Sequence, residues 1–332
     1  MGSYRLFLAL VVLVSHTELK PQGVAVGISA VVSFFILSGY VMTLLVDRHY
    51  ASPERVPHFY LDRVARIFPQ YLFYLVSTIV LVNQHRVTFG FVETCDAVQA
   101  ALNFAVFPLN WSRMVSINCL YLPQAWTLAL ELTFYLIVPF LIYSRYLVRT
   151  TGLLSCCIFV AAFATLVDTE TYGYRTLPGT LFMFMAGMAL ARRDIMTPVF
   201  PVLVWFAAVG LLSILYFDGN LRQQDVSRDV LVGLVIGLPA VAVLRRVKSS
   251  RLDEVLGNLS YGVFLNHLLC MYVLEQVLGF RIDSVARLCV LIGVATLLSL
   301  LTYHVVEKPV LAFRRGLRRG APTAQLLAAR GD

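Results

Sequence analysis

The chain has 332 residues, of which 59% are hydrophobic and only 14% charged, with a formal net charge of +8; its mean hydropathy is +0.76. A soluble domain runs nearer half apolar and a quarter charged, so that class is excluded, along with disordered, collagen-like, coiled-coil and small disulfide-stapled chains. Nucleic-acid binding is the weaker reading of the charge, because the basic residues fall between apolar blocks and not along one stripe.

Apolar blocks at 4–18, 24–46, 67–83, 125–144, 151–167, 178–192, 198–217, 229–244, 258–279 and 286–306 predict an all-α, polytopic membrane bundle of about ten helices. The first block has the shape of a signal peptide but no small-x-small cleavage site close behind it, so an uncleaved signal anchor is expected. In the second block, Ser38-Gly39-Tyr40 suits close helix packing. An eleventh stretch, 97–109, is interrupted by Asn103 and Pro108. If it does not span and the N-terminus is inside, nineteen of the 27 Lys and Arg lie on the inner side and eight on the outer. If it spans, eleven lie inside and sixteen outside. The excess of basic residues on cytoplasmic loops therefore favours ten spans, both termini cytoplasmic, with 97–109 a re-entrant or interfacial piece of an outer loop, 84–124.

Cys95 and Cys119 share that outer loop, where a disulfide is one possibility. Cys156, Cys157, Cys270 and Cys289 fall in spans and read as apolar packing, so no metal site is expected. Asn110 and Asn258 open Asn-x-Ser sequons. Pro309 reads as a helix stop at the inner face, which divides the chain into a spanning domain, 1–310, and a basic cytoplasmic tail, 311–332.

Polar groups at bilayer depth are expensive, so each is a functional candidate. His16 lies eleven residues after Arg5, about 16 Å up a helix and past the midplane. An interfacial histidine and a chemical group are both open readings. Glu131 is the sole carboxylate within 125–144 and must be protonated or paired. Measured from the outer end of its span, its depth matches that of His16, and a His16–Glu131 pairing is expected. Arg63 and Arg66, at i and i+3, put two guanidinium forks on one helix face at the inner mouth of the third span. They suit a phosphorylated ligand, or are a plain cytoplasmic flank. His267 lies mid-span in a helix made polar by Ser260, Tyr261 and Asn266, where a structural histidine competes with a functional one.

Six segments in this order resemble the acyltransferase 3 family of integral-membrane acyltransferases, over nearly the whole chain. They are Arg5-x10-His16, Phe34-Phe35-Ile36-Leu37-Ser38-Gly39-Tyr40, Arg63-x-x-Arg66-Ile67-x-Pro69, Trp126-Thr-Leu-Ala-Leu-Glu131-x-x-Phe134-Tyr135, Ser260-Tyr261-x-x-Phe264-Leu265-x-His267 and Glu307-Lys308-Pro309. Thr127 stands where Ser is usual, and Phe264 where Tyr is common.

The resemblance implies transfer of an acyl group, most often acetyl, from cytoplasmic acyl-CoA to a hydroxyl of a carbohydrate on the far side of a bacterial inner membrane. The fused SGNH domain of some members is not expected here. Carried over, His16 is the first-helix histidine, proposed as general base, and Glu131 the buried glutamate, proposed to orient and stabilise the imidazole. Arg63 and Arg66, with inner neighbours such as Lys308, Arg48 or Arg245, are expected to hold the CoA phosphates. Ser260 and His267 are expected to line the pantetheine channel or to polarise the thioester carbonyl. The expected acceptor is a surface glycan or lipid-linked sugar. A small molecule such as a macrolide is the alternative acceptor, and a glycan or lipid transporter without acyl transfer is the alternative class.

Overall fold

A computed structural model describes residues 1–21, 23–84, 92, 95–115, 117–192, 197–219 and 225–319. Among these residues the fold is all-helical, with one isolated bridge between Val92 and Cys119 and no named strand. The helices are α1 (Gly2–Ser15), α2 (Val26–His49), α3 (Val56–Asn83), α4 (Ala97–Ala105), α5 (Ala125–Tyr143) and α6 (Arg145–Phe163). They continue with α7 (Leu177–Ala191), α8 (Phe200–Phe217), α9 (Asp225–Leu244), α10 (Arg251–Tyr272), α11 (Val285–Thr302) and α12 (Lys308–Arg319).

Seven helical segments among the described residues are long and apolar enough to cross a membrane: Val26–His49, Pro53–Asn83, Ala125–Tyr143, Arg145–Phe163, Phe200–Phe217, Asp225–Leu244 and Val285–Arg318. The other three expected spans form α1, α7 and α10. Their sequences can be shorter or more polar because neighbouring helices shelter them. α1 packs on α10 and α2, α7 on α2 and α6, and α10 on α11. The polar residues of α10 act as glue between helices. Asn266 Nδ2 donates to the Ala295 carbonyl at 2.9 Å and Tyr261 Oη to the Ile67 carbonyl at 3.0 Å, and from the start of α5 Gln124 Nε2 donates to the Leu265 carbonyl of α10 at 2.6 Å.

The α2–α7 crossing bears out the small-pair reading of Ser38-Gly39. A Cβ on Gly39 would lie 1.9 Å from the Phe184 carbonyl oxygen, and one on Gly187 would lie 1.9 Å from that of Ile36. Such backbone approach supplies the dispersion contacts that hold helices together in lipid, where apolar burial alone gives little drive. It also fixes Ser38, one residue before Gly39, against α5.

The outer loop holds α4 and a 3-10 turn, Phe107–Trp111, so 97–109 forms short pieces and no span-length helix. Cys95 and Cys119 are bridged, with Cα atoms 5.1 Å apart. Asn103 ties the loop shut by donating to the Cys119 carbonyl at 2.8 Å. Asn110 is 2% exposed, so its sequon is not presented at the surface of the folded loop.

Three boundaries differ from expectation. The third span does not begin at 67: α3 starts at Val56, which places Arg63 and Arg66 about two turns or more inside a helix. Pro309 does not end the last helix, because it sits in the first turn of α12, where a missing N–H is harmless. The tail expected from 311 is helical as far as Arg319 and docked. Arg55 Nη2 donates to the Leu317 carbonyl at 2.6 Å, and Arg314 is only 7% exposed. Residues 320–332 lie outside the described residues.

Candidate active site

The starts of α1 and α10 and the ends of α2 and α9 share one end of the bundle, which is strongly basic. Three cavities run from it toward the opposite end. The first, about 560 Å³, lies at the basic mouth and is lined by Arg5, Arg48, Arg245, Asn258 and Arg318 among others. The second, about 410 Å³, is deeper and lined by Arg5, Arg63, Arg66, Arg314, Arg318 and Glu131. The third, about 620 Å³, holds His16, Trp126, Arg175 and Arg228 at the opposite end. Neighbouring cavities share walls. Arg5, Val41, Leu45, Asn258 and Arg318 line the first two, and Val31, Thr127 and Phe264 line the second and third.

His16 closes α1 at its C-terminal end and faces the third cavity. Its Nδ1 lies 2.8 Å from the Val12 carbonyl oxygen. A carbonyl can only accept, so Nδ1 carries a proton, and in the neutral ring the lone pair is then on Nε2. That is the form a general base needs.

The expected His16–Glu131 pairing is not made. Glu131 lines the middle cavity, where its Oε1 accepts from Ser38 Oγ at 2.6 Å and from Tyr135 Oη at 2.5 Å. The ring beside His16 belongs to His267, at 5.1 Å between centroids. His267 is 1% exposed, its Nδ1 lies 2.7 Å from the Phe264 carbonyl oxygen, and its Nε2 has no hydrogen-bond partner. It lines none of the three cavities, whereas Ser260 lines the middle one and donates to the Gly257 carbonyl at 2.8 Å.

Arg63 and Arg66 both line the middle cavity, and each is backed by a carboxylate. Arg66 pairs with Glu307, which is 2% exposed, and Arg63 pairs with Asp62. Their guanidinium groups also lie over aromatic rings, Arg63 at 5.9 Å from the Phe59 and Tyr135 centroids and Arg66 at 5.5 Å from that of Tyr261. Lys308 is exposed and lines none of these cavities; the preceding residue, Glu307, is the part of that motif which turns inward. A π-turn, Tyr303–Glu307, separates α11 from α12 at this point.

The sequence assigns no chemical role to several residues of the site: Asp62, Glu307, Arg314, Arg318 and the hydroxyls of Ser38 and Tyr135. Glu307, Ser38 and Tyr135 stand in the motifs, and Arg314 and Arg318 have their i, i+4 spacing. At the opposite end the wall is also charged. The Arg175 guanidinium lies 4.7 Å from the Trp126 ring centroid and pairs with Glu170, and Arg228 pairs with Asp225 and Asp229. Arg175 itself comes from a π-turn, Thr171–Arg175, that leads into α7.

Among the described residues, arginines line the cavities at the basic end, His16 faces the cavity at the opposite end with Arg175 and Arg228, and the middle cavity shares walls with both. An acyltransferase domain family model matches residues 3–304. The chain is 27% identical over 311 residues to the exopolysaccharide production protein ExoZ of Rhizobium meliloti, covering 89% of this chain and 92% of that protein. It is 27% identical over 329 residues to nodulation protein 10 of Rhizobium leguminosarum bv. viciae, covering 86% and 82% respectively. An uncharacterized protein of Aquifex aeolicus is 27% identical over 208 residues, 60% of this chain and 91% of that one. No solved structure matches. The chain belongs to the acyltransferase 3 family and is an integral membrane acyltransferase.

Proposed function

We propose that the protein transfers an acyl group, acetyl by first choice, from acyl-CoA at the basic, cytoplasmic end to a hydroxyl of a surface glycan or lipid-linked sugar at the opposite end, in a bacterial inner membrane. The observation that carries this reading is the row of cavities sharing walls, with a cluster of five arginines in the middle cavity toward the basic end and His16 in the cavity at the other. Arg5 and His16 are eleven residues apart on one helix, about 16 Å. That separation suits a donor whose phosphates stay among the arginines while its thioester reaches inward along the pantetheine arm. The glycan acceptor draws support from the exopolysaccharide relative and from the wall of the third cavity, where Trp126 stands with charged side chains such as Glu170 and Arg175.

The chemistry follows from the groups present. The acceptor hydroxyl is a poor nucleophile until a base takes its proton. His16 Nε2 accepts that proton as the oxygen attacks the thioester carbonyl. The new C–O bond forms, the C–S bond breaks, and the proton passes on to the departing CoA thiolate. Thr127 and Phe264, shared by the donor and acceptor cavities, mark where the two substrates meet. Glu131 holds the wall of the donor cavity through Ser38 and Tyr135. Mass spectrometry of surface polysaccharide from cells with and without the gene tests this. A mass difference of one acyl unit is expected, and identical spectra would contradict it.

A further inference from the structure

Asp62 is a buried carboxylate of the basic end that gathers three arginines. It is 0% exposed and accepts from Arg63 on its own helix, from Arg314 Nε at 3.1 Å and from Arg318 Nη2 at 3.1 Å. The last two come from α12, which carries Pro309 in its first turn and which Arg55 ties down at Leu317. All three arginines line the middle cavity and Asp62 does not, so one carboxylate sits behind three guanidinium groups that front the space.

The charges in this wall do not balance. Arg5, Arg63, Arg66, Arg314 and Arg318 line the cavity. Among the described residues, the carboxylates that pair with them are Asp62 and Glu307, and Arg5 has no ion pair; Glu131 also lines the cavity, so three carboxylates face five guanidinium groups. Excess buried positive charge is costly until an anion joins it. Donors are also spare: Arg63 Nε and Arg318 Nε are buried without a hydrogen-bond partner. A guanidinium offers five N–H donors in a planar fork that matches phosphate oxygens.

We propose that α12 is a working part of the donor site. Arg314 and Arg318, aligned by Asp62 beside Arg63, seat the phosphate groups of the acyl-CoA. This rests on the acyl-CoA reading above and adds the C-terminal helix to it. Asp62 is a positioning residue: it holds three long side chains in one arrangement before the donor arrives, so less ordering remains to be done on binding.

The test compares two thioesters, acetyl-CoA and acetyl-pantetheine, which lacks every phosphate. Transfer by purified Arg314→Gln and Arg318→Gln proteins is measured with each. The KM for acetyl-CoA should rise about ten-fold or more, the scale of one lost charge-assisted hydrogen bond. The KM for acetyl-pantetheine should stay at the wild-type value, and Arg314→Lys should recover part of the loss. Arg315→Gln, on the exposed side of the same helix, should change neither. If Arg314→Gln fails to fold, Arg318→Gln decides, since its side chain is 31% exposed. An unchanged KM for acetyl-CoA, or an equal rise for both thioesters, would overturn the role of α12 alone. Wild-type protein that turns over neither thioester would overturn the acyl-CoA reading and this inference with it.

Discussion

His16 and His267 stand ring to ring, 5.1 Å between centroids, and each is anchored through Nδ1 to a backbone carbonyl of its own helix, Val12 in one case and Phe264 in the other. The two anchors put protons on both Nδ1 atoms and leave both Nε2 atoms as acceptors. His16 is the one that faces a cavity, and His267 packs behind it.

His267 therefore acts through His16 in this account, and not along the pantetheine channel. His267→Asn should lower kcat by about ten- to a hundred-fold, the scale of a small misplacement of a reacting group. The KM for acyl-CoA should stay near the wild-type value. Steady-state kinetics separates the two roles, because a channel role would raise the donor KM at nearly constant kcat.

Glu131 is held by two hydroxyls on a single oxygen. Glu131→Gln keeps an acceptor there and should fold with near wild-type abundance. Glu131→Ala leaves Ser38 and Tyr135 unpaired, at about 1–3 kcal/mol each, and should lower the thermal midpoint in detergent. Equal midpoints for the two variants would count against this structural role.

The Gly39–Gly187 crossing sets the position of Ser38 and so of Glu131. Gly39→Leu would force the α2–α7 backbones apart, since even a Cβ would lie 1.9 Å from the Phe184 carbonyl oxygen. Overpacking of this kind costs about 1–3 kcal/mol. Membrane abundance and thermal midpoint should both fall, whereas Gly210→Leu, where a Cβ meets nothing within 4 Å, should be tolerated.

Asp253, in the first turn of α10 and outside the predicted span, locks the start of α1. It accepts from Ser3 N–H and Ser3 Oγ, both at 2.8 Å. Desolvation raises its pKa, but the Ser3 and Gly2 backbone donors, the N-terminal ammonium and the Ser3 hydroxyl outweigh it and hold the carboxyl below its ordinary range. A depressed carboxylate contributes stability that is full above its unfolded pKa of about 3.9 and is lost as pH falls. Asp253→Asn should thus melt below wild type at pH 7, with the gap closing as the pH is taken down below about 4. Thermal unfolding across that range checks it.

The bundle was legible because apolar length is a local property. Hydropathy marked the long helices, and the basic residues argued that 97–109 does not cross, as its broken structure bears out. The site was legible where one helix carries it, as with His16 on α1 or Arg63 and Arg66 on α3. It was not legible where partners meet across the chain: Asp62 and Arg314 are 252 residues apart in sequence. The depth of Glu131 is not legible for a similar reason: the apolar run of α5 sets the end of the span, but the bridged outer loop covers that end and buries Leu122 and Gln124. Glu131 consequently sits among the arginines and not beside His16. His267 was missed as its neighbour because nothing local relates position 267 to position 16.

The most direct measurement is acyl transfer by purified, reconstituted protein from labelled acetyl-CoA to a polysaccharide acceptor, wild type against His16→Ala, at matched amounts of folded protein. The account predicts ester-linked label with the wild type and a loss of about 10²–10⁴-fold in the variant, the range for a general base. Product formation by His16→Ala at the wild-type rate would contradict it.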